Sequence, residues 1–163
     1  MNGSQSKLNP NLNLTARIVS LLKKHEGGEK FFDALDDMIR NDIDILENFR
    51  NTIPPGHDQG LLLSGQFGQV FYQTYKDQLP FRELILVNGG IRTGKVPVLG
   101  VCKLECESYV FADDSFYSGK TRDGIEQALK SVNPNAKIVN TYVIYDGSSI
   151  KQDSVHAMYR YHK

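Results

Sequence analysis

Tyr109-Val-Phe-Ala-Asp-Asp-Ser-Phe-Tyr-Ser-Gly-Lys-Thr121 is the stretch that decides the fold. Tyr109 to Ala112 is an apolar run of strand length, and two adjacent carboxylates, Asp113 and Asp114, close it. A short loop of Ser118, Gly119, Lys120 and Thr121 then opens a helix over 121–131, with Ile125, Ala128 and Leu129 facing inward. Backbone N–H groups at a helix start attract anions, and with two hydroxyls and a lysine beside them they make a phosphate site. Glycine at 119 lets the backbone come close to phosphate oxygens. The paired carboxylates lie one strand-end away, where they accept hydrogen bonds from sugar hydroxyls or hold a magnesium ion. Phosphate at one end and a diol at the other describe ribose 5-phosphate.

Two other readings of these residues compete. Ser118-Gly-Lys-Thr121 invites comparison with the nucleotide-triphosphate loop G-x-x-x-x-G-K-[ST]. That pattern requires glycine where Asp114 stands, and a carboxylate there would enter the anion cradle. Gly89 to Lys95 has the G-x-x-x-x-G-K spacing, but Val96 replaces the metal-binding hydroxyl and a strand-like Val-Pro-Val-Leu run follows. Neither is a triphosphate loop. The plain structural alternative for Asp113-Asp114 is a strand-ending turn with a helix cap.

Outward from this stretch the chain alternates. Leu61-Leu-Leu63 is a buried strand ending at Ser64-Gly65, and 66–78 reads as a helix with Phe67, Val70, Phe71, Thr74 and Tyr75 on one side. Leu84 to Val87 is a second strand ending at Asn88-Gly-Gly90, 96–103 a third apolar run, and 138–145 a last, β-branched strand after the Asn133-Pro-Asn135 turn. Strands alternating with helices predict an α/β fold with a mostly parallel central sheet flanked by helices. In such sheets ligands bind beyond the carboxyl ends of the strands.

The N-terminal third differs. Residues 1–13 are a polar lead-in, 14–52 a helical segment, and 53–163 the α/β core. Thr15 caps a first helix carrying Ile18, Val19, Leu21 and Leu22 up to Gly27-Gly28. One longer helix over 29–50 places Phe32, Leu35, Ile39, Ile43, Leu46 and Phe49 on a single stripe. Asp36, Asp37, Arg40, Asp44 and Glu47 make the opposite, solvated face.

Nineteen lysines and arginines balance 19 aspartates and glutamates, so no net field draws the chain to nucleic acid or an anionic membrane. No apolar stretch approaches the roughly 18 residues that span a bilayer. The Asn- and Ser-rich N-terminus lacks the apolar centre of a signal peptide, so a cytoplasmic setting is expected. Cys102 and Cys106 lack the further ligands of a zinc site. On a strand they would share a face too far apart for an easy disulfide, which predicts two reduced core thiols.

Four apolar residues, Asp-Asp, three variable residues and Ser-Gly-x-Thr together resemble the phosphoribosyl-pyrophosphate motif of the type I phosphoribosyltransferases. Looser agreement covers about residues 59–146. The resemblance implies transfer of ribose 5-phosphate between phosphoribosyl pyrophosphate and a nitrogenous base, with Mg2+. By that likeness Asp113 and Asp114 hold the ribose hydroxyls, and the metal directly or through water. Ser115, Phe116, Tyr117, Ser118, Gly119, Lys120 and Thr121 take the 5′-phosphate. Ser64, Gly65, Gln66, Phe67 and Gly68 take pyrophosphate, through a loop whose peptide bond is expected to be strained. Arg92 or Lys95 of the small hairpin neutralises the leaving group, or the two simply make a solvated basic loop. Tyr145 and Asp146 are candidates to contact the base, or equally form a plain turn with Gly147 to Ser149. The helical N-terminal segment serves as part of a hood. The hairpin is shorter and Phe116-Tyr117 bulkier than is usual there. A non-catalytic relative that binds a nucleotide or phosphoribosyl pyrophosphate as a regulator is therefore the alternative. A homodimer is expected, with the tail 158–163 folding over the site or pairing with a second subunit, and its histidine exposed.

Overall fold

The computed structural model describes residues 16, 17, 20, 24, 29–90 and 95–160. By contacts the chain divides into two compact units, Met1–Thr52 and Ile53–Lys163. The capped first helix expected from Thr15 to Gly28 lies largely outside the described residues.

In the first unit the expected single long helix is two, α1 (Glu29–Asn41) and α2 (Ile43–Thr52). The break is chemical. Asp42 accepts hydrogen bonds at Oδ1 from the N–H groups of Asp44 (3.1 Å) and Ile45 (3.3 Å), the work of an N-cap rather than of a helix interior. Arg17 pairs with its other oxygen. Burial would raise the Asp42 carboxyl, but the Arg17 hydrogen bond and charge and the two N–H donors outweigh it and hold the group below its ordinary value. The break also resets the helical phase. Leu35, Ile39, Ile45, Leu46 and Phe49 are buried, whereas Ile43, expected on the stripe, is 55% exposed. Asp37 and Asp44 are exposed, as a solvated face requires.

The second unit is a six-stranded sheet in the order β3-β2-β1-β4-β5-β6. The strands are β1 (Gly56–Ser64), β2 (Phe81–Gly90), β3 (Lys95–Val98), β4 (Ser108–Phe116), β5 (Lys137–Asp146) and β6 (Val155–Arg160). Helix α3 (Gly65–Tyr75) joins β1 to β2, and α4 (Lys120–Val132) joins β4 to β5. Every pairing is parallel except β2 with β3. The mostly parallel α/β sheet flanked by helices is therefore the observed architecture. Leu61, Leu62 and Leu63, all 0% exposed, show why β1 reads as an unbroken apolar run: a central parallel strand is covered on both faces.

The sheet grows in opposite directions from its middle. β1 leads through α3 toward β2, while β4 leads through α4 toward β5. With the right-handed crossover that parallel strands adopt, α3 and α4 lie on opposite faces. Packing agrees. Ile125 and Leu129 of α4 share a core with Leu62, Ile85, Val87 and Phe111. On α3, Gly68 lies so close to the backbone of Leu63, on the other face, that a Cβ there would sit 2.9 Å from its carbonyl carbon.

Two expectations fail in this unit. The third apolar run forms a strand only over Lys95–Val98; a loop with Gly100 at φ +71° follows. Cys102 and Cys106 therefore stand on a loop and not on one strand face. Cys106 is buried and its thiol is pushed up by burial, with Glu83 adding to the effect, whereas Cys102 is exposed, so only one is a core thiol. Glu83 holds this loop by accepting the N–H of Glu105 (2.8 Å) and the hydroxyl of Tyr109 (3.2 Å). The second failure is that 138–145 is not the last strand. Met158, Tyr159 and Arg160 belong to β6, which pairs parallel with β5 through a helix-free connection of residues 147–154. Parallel crossovers usually need a dozen or more residues. The tail histidine, His162, is outside the described residues.

Candidate functional site

The strand order reverses between β1 and β4, which are neighbours paired as far as Leu63 with Ala112. Splayed connections leave a crevice at such a reversal, at the carboxyl ends of the strands. The next residues along are Ser64 on β1 and Asp113 on β4. The two stretches singled out by sequence thus meet at one point of the sheet, although 44 residues or more separate them in the chain.

At the end of β1 the expected pyrophosphate loop is tighter than a loop. Ser64 is the N-cap of α3 and Gly65, at φ +67°, its first residue, so Gln66, Phe67 and Gly68 lie in the first helical turn. Ser64 makes no side-chain cap bond, and the first N–H groups of a helix have no partner within it. A Cβ on Gly65 would meet nothing within 4 Å. This end presents a positive helix pole beside open space. Phe67 and Gly68 are buried, so their share in an anion site is confined to the backbone. The expected strained peptide is not of the cis kind: the described residues contain no cis bond.

β4 continues through the carboxylates to Phe116, so the loop proper is Tyr117, Ser118 and Gly119. Asp113, Asp114 and Ser115 are half-buried. Asp113 accepts the N–H of Asp114 at 2.9 Å, and Ser115 donates to Asp114 at 3.3 Å. Gly119 caps α4 with φ +81°, and Ser118 Oγ accepts the N–H of Lys120 at 3.3 Å. Ser118 and Lys120 are exposed and Thr121 is half-buried. Arg122, which the sequence reading passed over, brings a further cation. Its guanidinium lies 5.1 Å from the centre of the Phe116 ring and would meet a Cβ on Gly119 at 3.3 Å. It also donates to Gln152 at 2.9 Å.

The bulky pair in this loop is anchored rather than exposed. Phe116, 3% exposed, packs with Val143 and Val155 beneath the loop, so its side chain serves the core and only its backbone is left for a ligand. Tyr117 lies edge-on to Tyr145 with ring centres 5.8 Å apart, and Tyr145 stacks on Tyr159 at 5.8 Å.

The residues expected to contact a base are closed off. Tyr145 is 2% and Asp146 1% exposed. Asp146 Oδ1 accepts the N–H of Ser148 (2.9 Å) and its hydroxyl (2.6 Å), and Oδ2 accepts Arg160 Nε (3.2 Å). An Asp whose side chain bonds the backbone two residues on is a turn-former, and Asp146-Gly-Ser148 was legible as such. Arg92 lies outside the described residues. Lys95 starts β3, which pairs antiparallel with β2.

No group of three or more His, Cys, Asp or Glu placed to hold a metal occurs among the described residues. Asp113 and Asp114 are consecutive and half-buried at the end of β4. As hard oxygen donors they suit a magnesium ion that arrives with phosphates and keeps several waters. No helix among the described residues is long and apolar enough to cross a membrane.

No protein family matches the chain, and a search among curated proteins finds no match. Among solved structures the chain is similar to a hypoxanthine phosphoribosyltransferase from Staphylococcus aureus, at 8% identity and TM-score 0.45, over 72% of this chain and 69% of that one. It is similar to a purine phosphoribosyltransferase from Pyrococcus horikoshii at 18% identity and TM-score 0.43, over 79% and 83%. A third is the hypoxanthine phosphoribosyltransferase from Trypanosoma cruzi in complex with its product IMP, at 11% identity and TM-score 0.39, over 72% and 70%.

Proposed function

We propose that this chain binds a phosphorylated ribose at the carboxyl ends of β1 and β4 and transfers ribose 5-phosphate between phosphoribosyl pyrophosphate and a nitrogenous base. One observation carries the reading. The sheet reverses direction between the two strands whose ends hold a helix N-terminus at Gly65 and a carboxylate pair followed by Ser118-Gly-Lys-Thr121. An anion-attracting helix start at each strand end, with carboxylates beside them, suits a ligand that carries phosphate groups at both ends of a diol.

In this reading Ser118, Lys120, Thr121 and the first N–H groups of α4 bind the 5′-phosphate. Asp113 and Asp114 accept hydrogen bonds from the ribose 2′- and 3′-hydroxyls. Their charge favours the positive sugar that develops as the C1′–O bond breaks and its electron pair leaves with pyrophosphate. The nitrogen of the base supplies the pair for the new C1′–N bond. The N–H groups of Gly65, Gln66 and Phe67, at the start of α3, receive the pyrophosphate, and Arg92 and Lys95 add positive charge there. Mg2+, when bound, neutralises pyrophosphate, with Asp113 or Asp114 reaching it directly or through water. Since Tyr145 and Asp146 are sealed, the base is read by groups other than these two side chains.

Calorimetric titration with Mg2+–phosphoribosyl pyrophosphate tests the binding half. The wild type is expected to release heat, and Asp113→Asn to bind about ten- to a hundredfold more weakly, the weight of a charge-assisted hydrogen bond. Silence in the wild type, or equal affinity in Asp113→Asn, removes the reading. A screen of bases for pyrophosphate release tests the transfer half. Tight binding with every base inert would leave a regulator that senses the ligand.

A further inference from the structure

The loop expected to hold the 5′-phosphate is fastened to a turn on the neighbouring strand. Tyr117 lies against Gly147, the residue after β5: a Cβ there would fall 2.4 Å and 2.8 Å from two carbons of the Tyr117 ring and 3.0 Å from the Tyr145 ring. No real Cβ tolerates such distances, so the ring rests on the turn only because residue 147 is glycine. The backbones are joined at the same place, where Gly147 N–H donates to the carbonyl of Phe116 at 2.9 Å. The turn is itself fixed. Asp146 Oδ1 accepts both the N–H and the single hydroxyl hydrogen of Ser148, and Arg160 clamps Asp146 from β6. From Arg160 through Asp146, Gly147 and Tyr117 to Ser118 there is one unbroken line of contacts.

We infer that Gly147 and Tyr117 are positioning residues: the β5–β6 turn sets where the 117–119 loop, and with it the phosphate-binding start of α4, stands. A small residue at 117 would remove these ring contacts, leaving the Gly147–Phe116 backbone bond and the Arg122–Gln152 hydrogen bond between the two segments. The turn is held by Asp146 on β5 and Arg160 on β6, and Gln152 further along the same connection meets Arg122 of α4, so position passes from the edge of the sheet to its ligand end. The ligand in this inference rests on the proposed function; the mechanical link does not.

The test is a double-mutant cycle on the full chain with ribose 5-phosphate as probe. Gly147→Ala must displace the ring and Tyr117→Ala must free the loop. Each is expected to weaken ribose 5-phosphate about tenfold or more, the scale on which small misplacements act, while inorganic pyrophosphate binds as in the wild type. The double variant is expected to lose no more than either single one, because the clash needs the ring. Tyr117→Phe, which keeps the ring carbons that touch Gly147, restores affinity. Additive losses, or a Tyr117→Phe variant as weak as Tyr117→Ala, overturn the link. If the wild type binds no ribose 5-phosphate, the proposed function fails and the link is read without ligand, by amide hydrogen exchange at 117–121. Faster exchange there in both single variants, with the rest of the sheet unchanged, supports it; unchanged exchange overturns it.

Discussion

Arg160→Met is expected to destabilise the second unit by about 3 kcal/mol, the low end of the cost of stranding a buried charge. Asp146 is enclosed, with 2% of its side chain exposed, and Arg160 is 16% exposed. Removing the guanidinium leaves a carboxylate whose Oδ2 has lost the donor at 3.2 Å in a place water scarcely reaches. Ser148 still donates twice to Oδ1, which keeps the loss from being larger. Urea denaturation of both proteins measures the difference. The double change Arg160→Met with Asp146→Asn should recover part of it, since the uncompensated charge goes with the second substitution. A loss below about 0.5 kcal/mol in Arg160→Met, the level of an ordinary surface change, would show that the pair holds nothing.

Gly119→Val is the larger effect on binding. Residue 119 caps α4 at φ +81°, where a β-branched residue is strained, and its Cβ would press on the Phe116 ring at 3.2 Å and the Arg122 guanidinium at 3.3 Å. Relief comes from shifting the loop, which moves the first N–H groups of α4 from a bound phosphate. Ribose 5-phosphate affinity is expected to fall about a hundredfold. Gly100→Val is the control. It has a similar φ, +71°, with nothing within 4 Å of its Cβ, on the loop after β3. It should lose comparable stability and keep full affinity. Equal affinity in Gly119→Val and the wild type, by calorimetry, would remove the loop from the site.

Much of the fold was legible because buried parallel strands and their helices leave strong marks. Leu61 to Leu63 and Tyr109 to Ala112 are apolar without a break, and 66–78 and 121–131 carry periodic stripes, so the α/β sheet followed. What the chain hid has physical causes. β6 was missed because an edge strand with His156 exposed and residues 157–160 half-buried has no apolar run. The break between α1 and α2 was missed because the stripe continues across it; only Asp42, a cap-forming residue in a helix interior, marked it. Cys102 and Cys106 were placed on a strand that Gly100 ends.

The site divides in the same way. Asp113-Asp114 and Ser118-Gly-Lys-Thr121 were readable because carboxylates, hydroxyls and glycine at a strand end have few structural uses in combination. That Ser64-Gly65 stands beside them is a fact of strand order, which no local pattern reveals. Tyr145 and Asp146 were assigned by position along the chain alone, and their burial shows them shaping a turn instead. Arg122 and Gly147 went unseen because their roles depend on a neighbour 30 residues away in each case: Gln152 for the first and Tyr117 for the second.

The most direct measurement of the central claim is an amide chemical-shift map of the 15N-labelled chain titrated with ribose 5-phosphate and then with Mg2+–phosphoribosyl pyrophosphate. The sugar phosphate is expected to move amides of 113–121, and the full ligand to add those of 64–68. Saturating shifts that fall elsewhere, or none at either stretch, would contradict a phosphoribosyl site at the junction of β1 and β4.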